Sequence, residues 1–197
     1  MIQVSLSRAV CTTIALSLPA ALAAETVSIS KTYENTFGEP PLYSDFMVGG
    51  DGAEPRSLFG GTINISTDTR GDMIAFCIEL PQNLALPATY NDVAAPFGAA
   101  NSDRLSRLFT GHYEQIDTEI EAAAFQIAVW EIINDDQVDL NSGSFQLLSN
   151  PAVKMVATAY LASLSEYGAD YDLTYFQSKD SQNLISGVPL MTTFSGS

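Results

Sequence analysis

The stretch that decides the fold is "AAAFQIAVWEI", residues 122–132. It is a run of good helix formers, and Thr118-Glu119-Ile120-Glu121 ahead of it has the spacing of a capping box, so a helix is expected from there to about Asn134. On a helical wheel apolar side chains surround nearly the whole circumference, broken only by Glu119, Glu121 and Glu131. A helix apolar all round belongs in a core. Gln126 then falls between Trp130 and Ala123 on one flank and Ile133, Ala122 and Val129 on the other. An unpaired amide there would cost on the order of 1–3 kcal/mol, so it demands a partner. Ala122 and Ala123 leave room for another backbone to come close.

Around this helix the chain alternates between strand and turn patterns. "ETVSISKTYEN" (25–35) alternates as a strand, and the Gly- and Pro-rich residues 36–56 read as a long loop. "SLFGGTINIST" and "DMIAFCIEL" read as two strands joined by the turn residues Asp68 to Gly71. Residues 81–100 hold three prolines and read as a second loop. Asn101 or Ser102 can cap a helix that stops near Gly111, and "QVDLNSGSFQLLS" looks like a hairpin turning at Asn141 to Ser144. Pro151 at a first helical position and Gly168 beyond the end bracket a further helix. Strands then helices then strands predict an α+β fold: a β-rich barrel- or sandwich-like framework with an inserted helical subdomain. The corresponding divisions are strands over 25–80, a helical part over 101–168, closing strands over 171–186 and a tail over 187–197.

Residues 1–24 have the form of a signal peptide: Arg8, the short apolar run "AVCTTIALSLPAAL", and small residues at Ala21-Leu22-Ala23. The run is short for a membrane span, and the chain after it shows no second one. An extracellular, cell-surface or periplasmic location is expected. The whole chain has a formal charge of −15 at pH 7, and loss of Arg8 makes the remainder one unit more negative. Such a charge argues against nucleic acid or an anionic membrane as partner, since both would repel it. About 170 residues remain, enough for one domain with a proper core.

Loss of the leader also removes Cys11 and leaves Cys77 alone. A lone cysteine in an oxidising compartment is an intermolecular partner, a reactive thiol or a buried small hydrophobe. "FCIEL" with "FQIAVWEI" resembles the paired signatures of bacterial thioester domains, in which an aromatic-Cys-aliphatic-acidic strand motif accompanies a Gln-x-Ala-aliphatic-Trp helix motif. The resemblance implies that Cys77 Sγ and the side-chain carbonyl of Gln126 join as an internal thioester lying between a β-rich and a helical part. Phe125 stands where Gram-positive members usually carry Thr, and no LPxTG-like sorting signal is present. Phe-Gln forms resemble short exported Gram-negative proteins with hydrophobic sorting tails; "SGVPL" (186–190) looks like the start of one, although "MTTFSGS" is not an apolar anchor.

The residue types suit the chemistry. A thiolate attacks a carboxamide, ammonia leaves, and the thioester lasts only where water is excluded, a need that Phe76, Phe125 and Trp130 would serve. A neutral amine then displaces sulfur in a single-use acylation rather than a turnover. The expected target is an amine-bearing surface protein or a polyamine, with no cofactor and no metal. Glu79 shares a strand face with Cys77 and reads as a base or, more simply, as a structural hydrogen-bonding group.

Other features point less far. His112 is the sole histidine and no Gly-x-Ser-x-Gly elbow accompanies it. "NDDQVDLNSG" is acidic enough for calcium but lacks EF-hand spacing. Arg70-Gly71-Asp72 is most simply a turn. The function class that competes with covalent attachment is a non-covalent exported structural or matrix-associated binding domain, with Cys77 and Gln126 as core residues. A hydrolase is the weakest class, because no convincing catalytic set exists.

Overall fold

The structure, a computed structural model, describes residues 24–29, 36–80, 82–85 and 88–190. The leader, the last residues of the first predicted strand and the end of the tail lie outside the described residues. Among the described residues, nine strands and three α-helices are ordered β1 (Ala24–Ile29), β2 (Tyr43–Gly50), β3 (Ala53–Gly61), β4 (Ile63–Thr67), β5 (Gly71–Cys77), β6 (Ala88–Val93), α1 (Ala99–His112), α2 (Glu119–Asn134), β7 (Gln146–Leu147), α3 (Pro151–Ala162), β8 (Tyr171–Gln177) and β9 (Leu184–Pro189). Six strands close a barrel in the order β1-β4-β5-β9-β8-β6, and β3-β2-β7 form a separate sheet. The fold is therefore α+β with a β-rich framework, and the helices lie in the chain between barrel strands β6 and β8.

The barrel follows from strict alternation. Ile63, Ile65 and Ala75 point inward with Val27, Tyr90, Phe176 and Leu184 to fill its interior. The next residue along β5, Phe76, points outward into a second and larger core shared with the helices. Gly71 at φ +73° starts β5 directly after the turn at 68–70, a conformation that suits glycine. Arg70 in that turn pairs with Asp92 and lies 5.9 Å from the Phe176 ring centroid, which fits a structural turn.

Helix α2 is capped as its sequence predicts. The Thr118 side chain accepts from the Glu121 backbone N–H, and the Glu121 carboxylate accepts from that of Thr118. Every residue from Ala122 to Ile132 is buried, which a helix achieves only when neighbours cover it on all sides. Asn150 likewise caps α3 through Val153 N, with Pro151 in the first turn.

Several expectations are corrected. Residues 36–56 are not a long loop: they contain β2 and the start of β3, where the buried Phe46 and Val48 give the alternation that neighbouring Gly and Pro disguise. "SLFGGTINIST" is not one strand, because the chain passes at Thr62 from the separate sheet into the barrel. The second predicted loop holds β6, a strand with Tyr90 alone fully buried and defined by its pairing with β1 and β8. Helix α1 begins at Ala99 after Gly98, which makes no side-chain cap, rather than at Asn101 or Ser102. The predicted hairpin near 141–144 does not form: Gln146 and Leu147 pair with β2 instead. Helix α3 stops at Ala162, short of Gly168, and a 3₁₀ turn follows at Leu164–Glu166. Glu131, read as a polar break in the helix, is fully buried.

Candidate functional site

Cys77 is the last residue of β5. On one side it pairs with Leu184 of β9, and the following Ile78 N–H donates to Asn183 O at 3.0 Å. On the other side β4 pairs with β5 only as far as Ile63 opposite Ala75, because the chain preceding Ile63 has turned into the other sheet. The main-chain N–H and C=O of Cys77 thus face a gap. Gln126 fills it: Cys77 N–H donates to Gln126 Oε1 at 2.9 Å, and Gln126 Nε2 donates to Cys77 O at 2.8 Å. The side chain stands in for the missing strand residue. This is the partner that the buried amide required, and Gln126 is only 1% exposed.

Gly60 makes the insertion possible. A Cβ there would stand 2.9 Å from Gln126 Cγ and 2.7 Å from Phe46 Cζ, both closer than real Cβ atoms come to a neighbour. Gly60→Ala is therefore expected to push the amide off Cys77 and destabilise the fold by about 1–3 kcal/mol, the usual cost of overpacking. Chemical denaturation measures it, and an unchanged midpoint would contradict the geometry.

The thiol has a separate partner. Cys77 Sγ donates to Gln182 Oε1 at 2.8 Å, while Gln182 Nε2 donates to Glu79 O. Burial pushes the Cys77 thiol above its ordinary value of 9.0, and the nearby negative charge of Glu79 adds to the effect. At neutral pH the sulfur is thus protonated and a poor nucleophile until its proton is removed. The Glu79 carboxylate accepts from Asn183 N at 3.3 Å and from Asn183 Nδ2 at 2.8 Å, tying the end of β5 to the turn before β9. Of its two expected roles, this is the structural one.

A cavity of about 430 Å³ opens beside the pair, with Cys77, Gln126, Trp130 and Gln182 on its walls together with apolar residues such as Leu58 and Leu84. Trp130 lies one turn after Gln126, braced by Phe46 and Phe145 at 6.1 Å each, and its buried indole N–H has no hydrogen-bond partner among the described residues. Phe76 and Phe125 do not line the cavity. They pack against each other at 4.5 Å on the core side, so they seal the site from behind. The structure thus brings together Cys77, Gln126, Trp130 and Glu79, and adds Gln182, Asn183 and Gly60. No periodicity marks Gln182 in "SQNLI"; its part depends on a turn that only the closed barrel brings beside β5.

The remaining candidates resolve simply. His112 ends α1, only 8% exposed, with Nε2 2.8 Å from Ser163 Oγ and its ring stacked 4.0 Å from Tyr160. Burial lowers its pKa. Among the described residues no group of three or more His, Cys, Asp or Glu side chains is placed to hold a metal ion. In the acidic turn the Asp135 carboxylate accepts from Ser144 N and Phe145 N, and that of Asp139 from Asn141 N and Ser142 Oγ. Among the described residues no helix is long and apolar enough to cross a membrane.

Searches against protein-family models, curated proteins and solved structures find no match to this chain.

Proposed function

We propose that Cys77 and Gln126 close an internal thioester and that the protein uses it to attach covalently to amine-bearing surfaces, in effect as an adhesin. The observation that carries this reading is the doubly hydrogen-bonded pairing of the Gln126 carboxamide with the Cys77 main chain. It holds the electrophilic carbonyl beside the one residue of the mature chain that bears a thiol. The reaction then balances within the site. Once deprotonated, Sγ attacks Cδ of Gln126, the carbonyl oxygen takes the developing charge, and Cys77 N–H already donates to that oxygen. Nitrogen leaves as ammonia after gaining a proton, and the chain is left with a glutamyl thioester.

The reverse displacement by a neutral amine joins Gln126 to the target as an amide and returns the thiol to Cys77. Each chain reacts once, so this is bond formation rather than turnover. The high thiol pKa fits a slow closing step that accelerates as pH rises, with no plateau in the ordinary thiol range. Methylamine tests the reading: it should label Gln126 alone and free one thiol per chain, and a wild-type protein that never takes up methylamine would count against it.

A second reading has its own observation. The same two hydrogen bonds satisfy the Gln126 amide and mend the edge of β5, which is all that a non-covalent exported structural or binding domain would ask of it. The two readings part on covalent reactivity, since only the first lets sulfur and the side-chain carbonyl exchange bonds.

A further inference from the structure

Gln182 is 8% exposed, and three hydrogen bonds fix it in place. Its backbone N–H donates to Asn83 O at 3.1 Å, its backbone O accepts from Tyr90 OH at 3.0 Å, and its Nε2 donates to Glu79 O. Its Oε1 is thereby left facing the cavity sulfur, 2.8 Å away, and accepts the Cys77 S–H. A sulfur joined in a thioester carries no proton. Closure would strip Oε1 of this donor while the other three bonds keep the amide where it is. A buried acceptor that loses its donor calls for another. This acceptor is on the wall of the cavity through which a nucleophile must arrive.

We propose that Gln182 positions the incoming primary amine, a role that exists only where the thioester proposed above closes. One N–H of the amine donates to Gln182 Oε1, which turns the nitrogen lone pair toward the acyl carbon of residue 126. The N–C bond forms and the C–S bond breaks. The electron pair goes to sulfur, and sulfur takes a proton from the amine nitrogen. The products are an N-alkyl amide at residue 126 and the Cys77 thiol, which again donates to Gln182 Oε1. Apart from Cys77, no ionisable side chain lines the cavity among the described residues. The amine must therefore arrive uncharged, and walls such as Leu58, Phe59 and Leu84 favour an unbranched alkylamine, like a lysine side chain, over an amino acid carrying a carboxylate.

The test compares full-length wild type with Gln182→Met, following methylamine uptake by mass and thiol release across methylamine concentrations. Both chains should start in the thioester form. The wild-type rate should saturate with methylamine. The variant should react about tenfold more slowly and without saturation, while its rate of hydrolysis in amine-free buffer changes by less than about twofold. Equal aminolysis in the two chains would overturn the role of Gln182 and leave the thioester intact. A wild-type chain with no thioester would overturn both. A folded variant that never closes the thioester would assign Gln182 to ring closure and overturn its assignment to amine capture. If the Met variant fails to fold, Gln182→Asn takes its place: the amide is kept but withdrawn by one methylene, and the same loss of saturation is expected.

Discussion

Cys77→Ala should abolish methylamine uptake completely and lower stability by up to about 4 kcal/mol, the unstrained loop-closure value for a cross-link of this span. The bond would join residues 49 positions apart, 77 and 126. The substitution is clean because both hydrogen bonds to Gln126 use the main chain of residue 77, which alanine keeps. Without a covalent bond, the variant loses one partly buried sulfur and its hydrogen bond to Gln182, for a cost of about 1 kcal/mol. Comparison with Gln126→Ala sharpens the result. Either substitution removes the same cross-link, so the double variant should fall well short of the sum of the singles. Full additivity with a small Cys77→Ala effect would mean that no cross-link joins the two residues.

The second large effect concerns Glu131, which is fully buried five residues after Gln126 on the same helix. Its Oε1 accepts from Asp139 N at 2.6 Å, and its Oε2 has no partner among the described residues. Burial pushes its carboxyl up from the ordinary 4.5 to about 7; the Asp139 N–H opposes this, and the charges of Asp135 and Asp139 add to it. The neutral form is thus the one the fold favours. Stability from this group is fully present below pH 4.5 and is lost as pH rises through about 7, since the unfolded chain ionises first. Glu131→Gln keeps the shape and removes the titration. Relative to wild type it should gain about 1.4 kcal/mol for each pH unit over that window, reaching about 3 kcal/mol at neutral pH. Denaturation midpoints of both chains measured from pH 4.5 to 7.5 check this. Parallel curves would show that burial does not raise the Glu131 carboxyl above its ordinary value.

Glu131 also shows where sequence reading stops. The wheel placed it among the polar breaks of α2 because a carboxylate is normally solvated, yet the Asp135–Phe145 turn folds over it and supplies a backbone donor. Cap, length and all-round burial of α2 were legible because they are local: Thr118, Glu121 and an unbroken apolar run determine them. The buried amide's need of a partner was legible from the residues, while its pairing with Cys77 came from the resemblance of "FCIEL" and "FQIAVWEI" to paired motifs. How they meet was not legible. It depends on β4 beginning at Ile63 while β5 runs on to Cys77, a mismatch of strand ends that appears only in the sheet register. Strands β2 and β6 were hidden for a related reason. Their pairing partners define them, while Gly, Pro, Asn and Asp in and around them signal loops.

The most direct measurement is the intact mass of the freshly purified, untreated chain, recorded in mild acid and followed by peptide mapping. A thioester between Cys77 and Gln126 predicts a protein lighter by one ammonia, about 17 Da, than its sequence with free Cys and Gln. Methylamine should then convert that species to one about 14 Da heavier than the free sequence, with the added group on residue 126. A chain at the full sequence mass, with Gln126 unmodified and the Cys77 thiol free, would contradict the account.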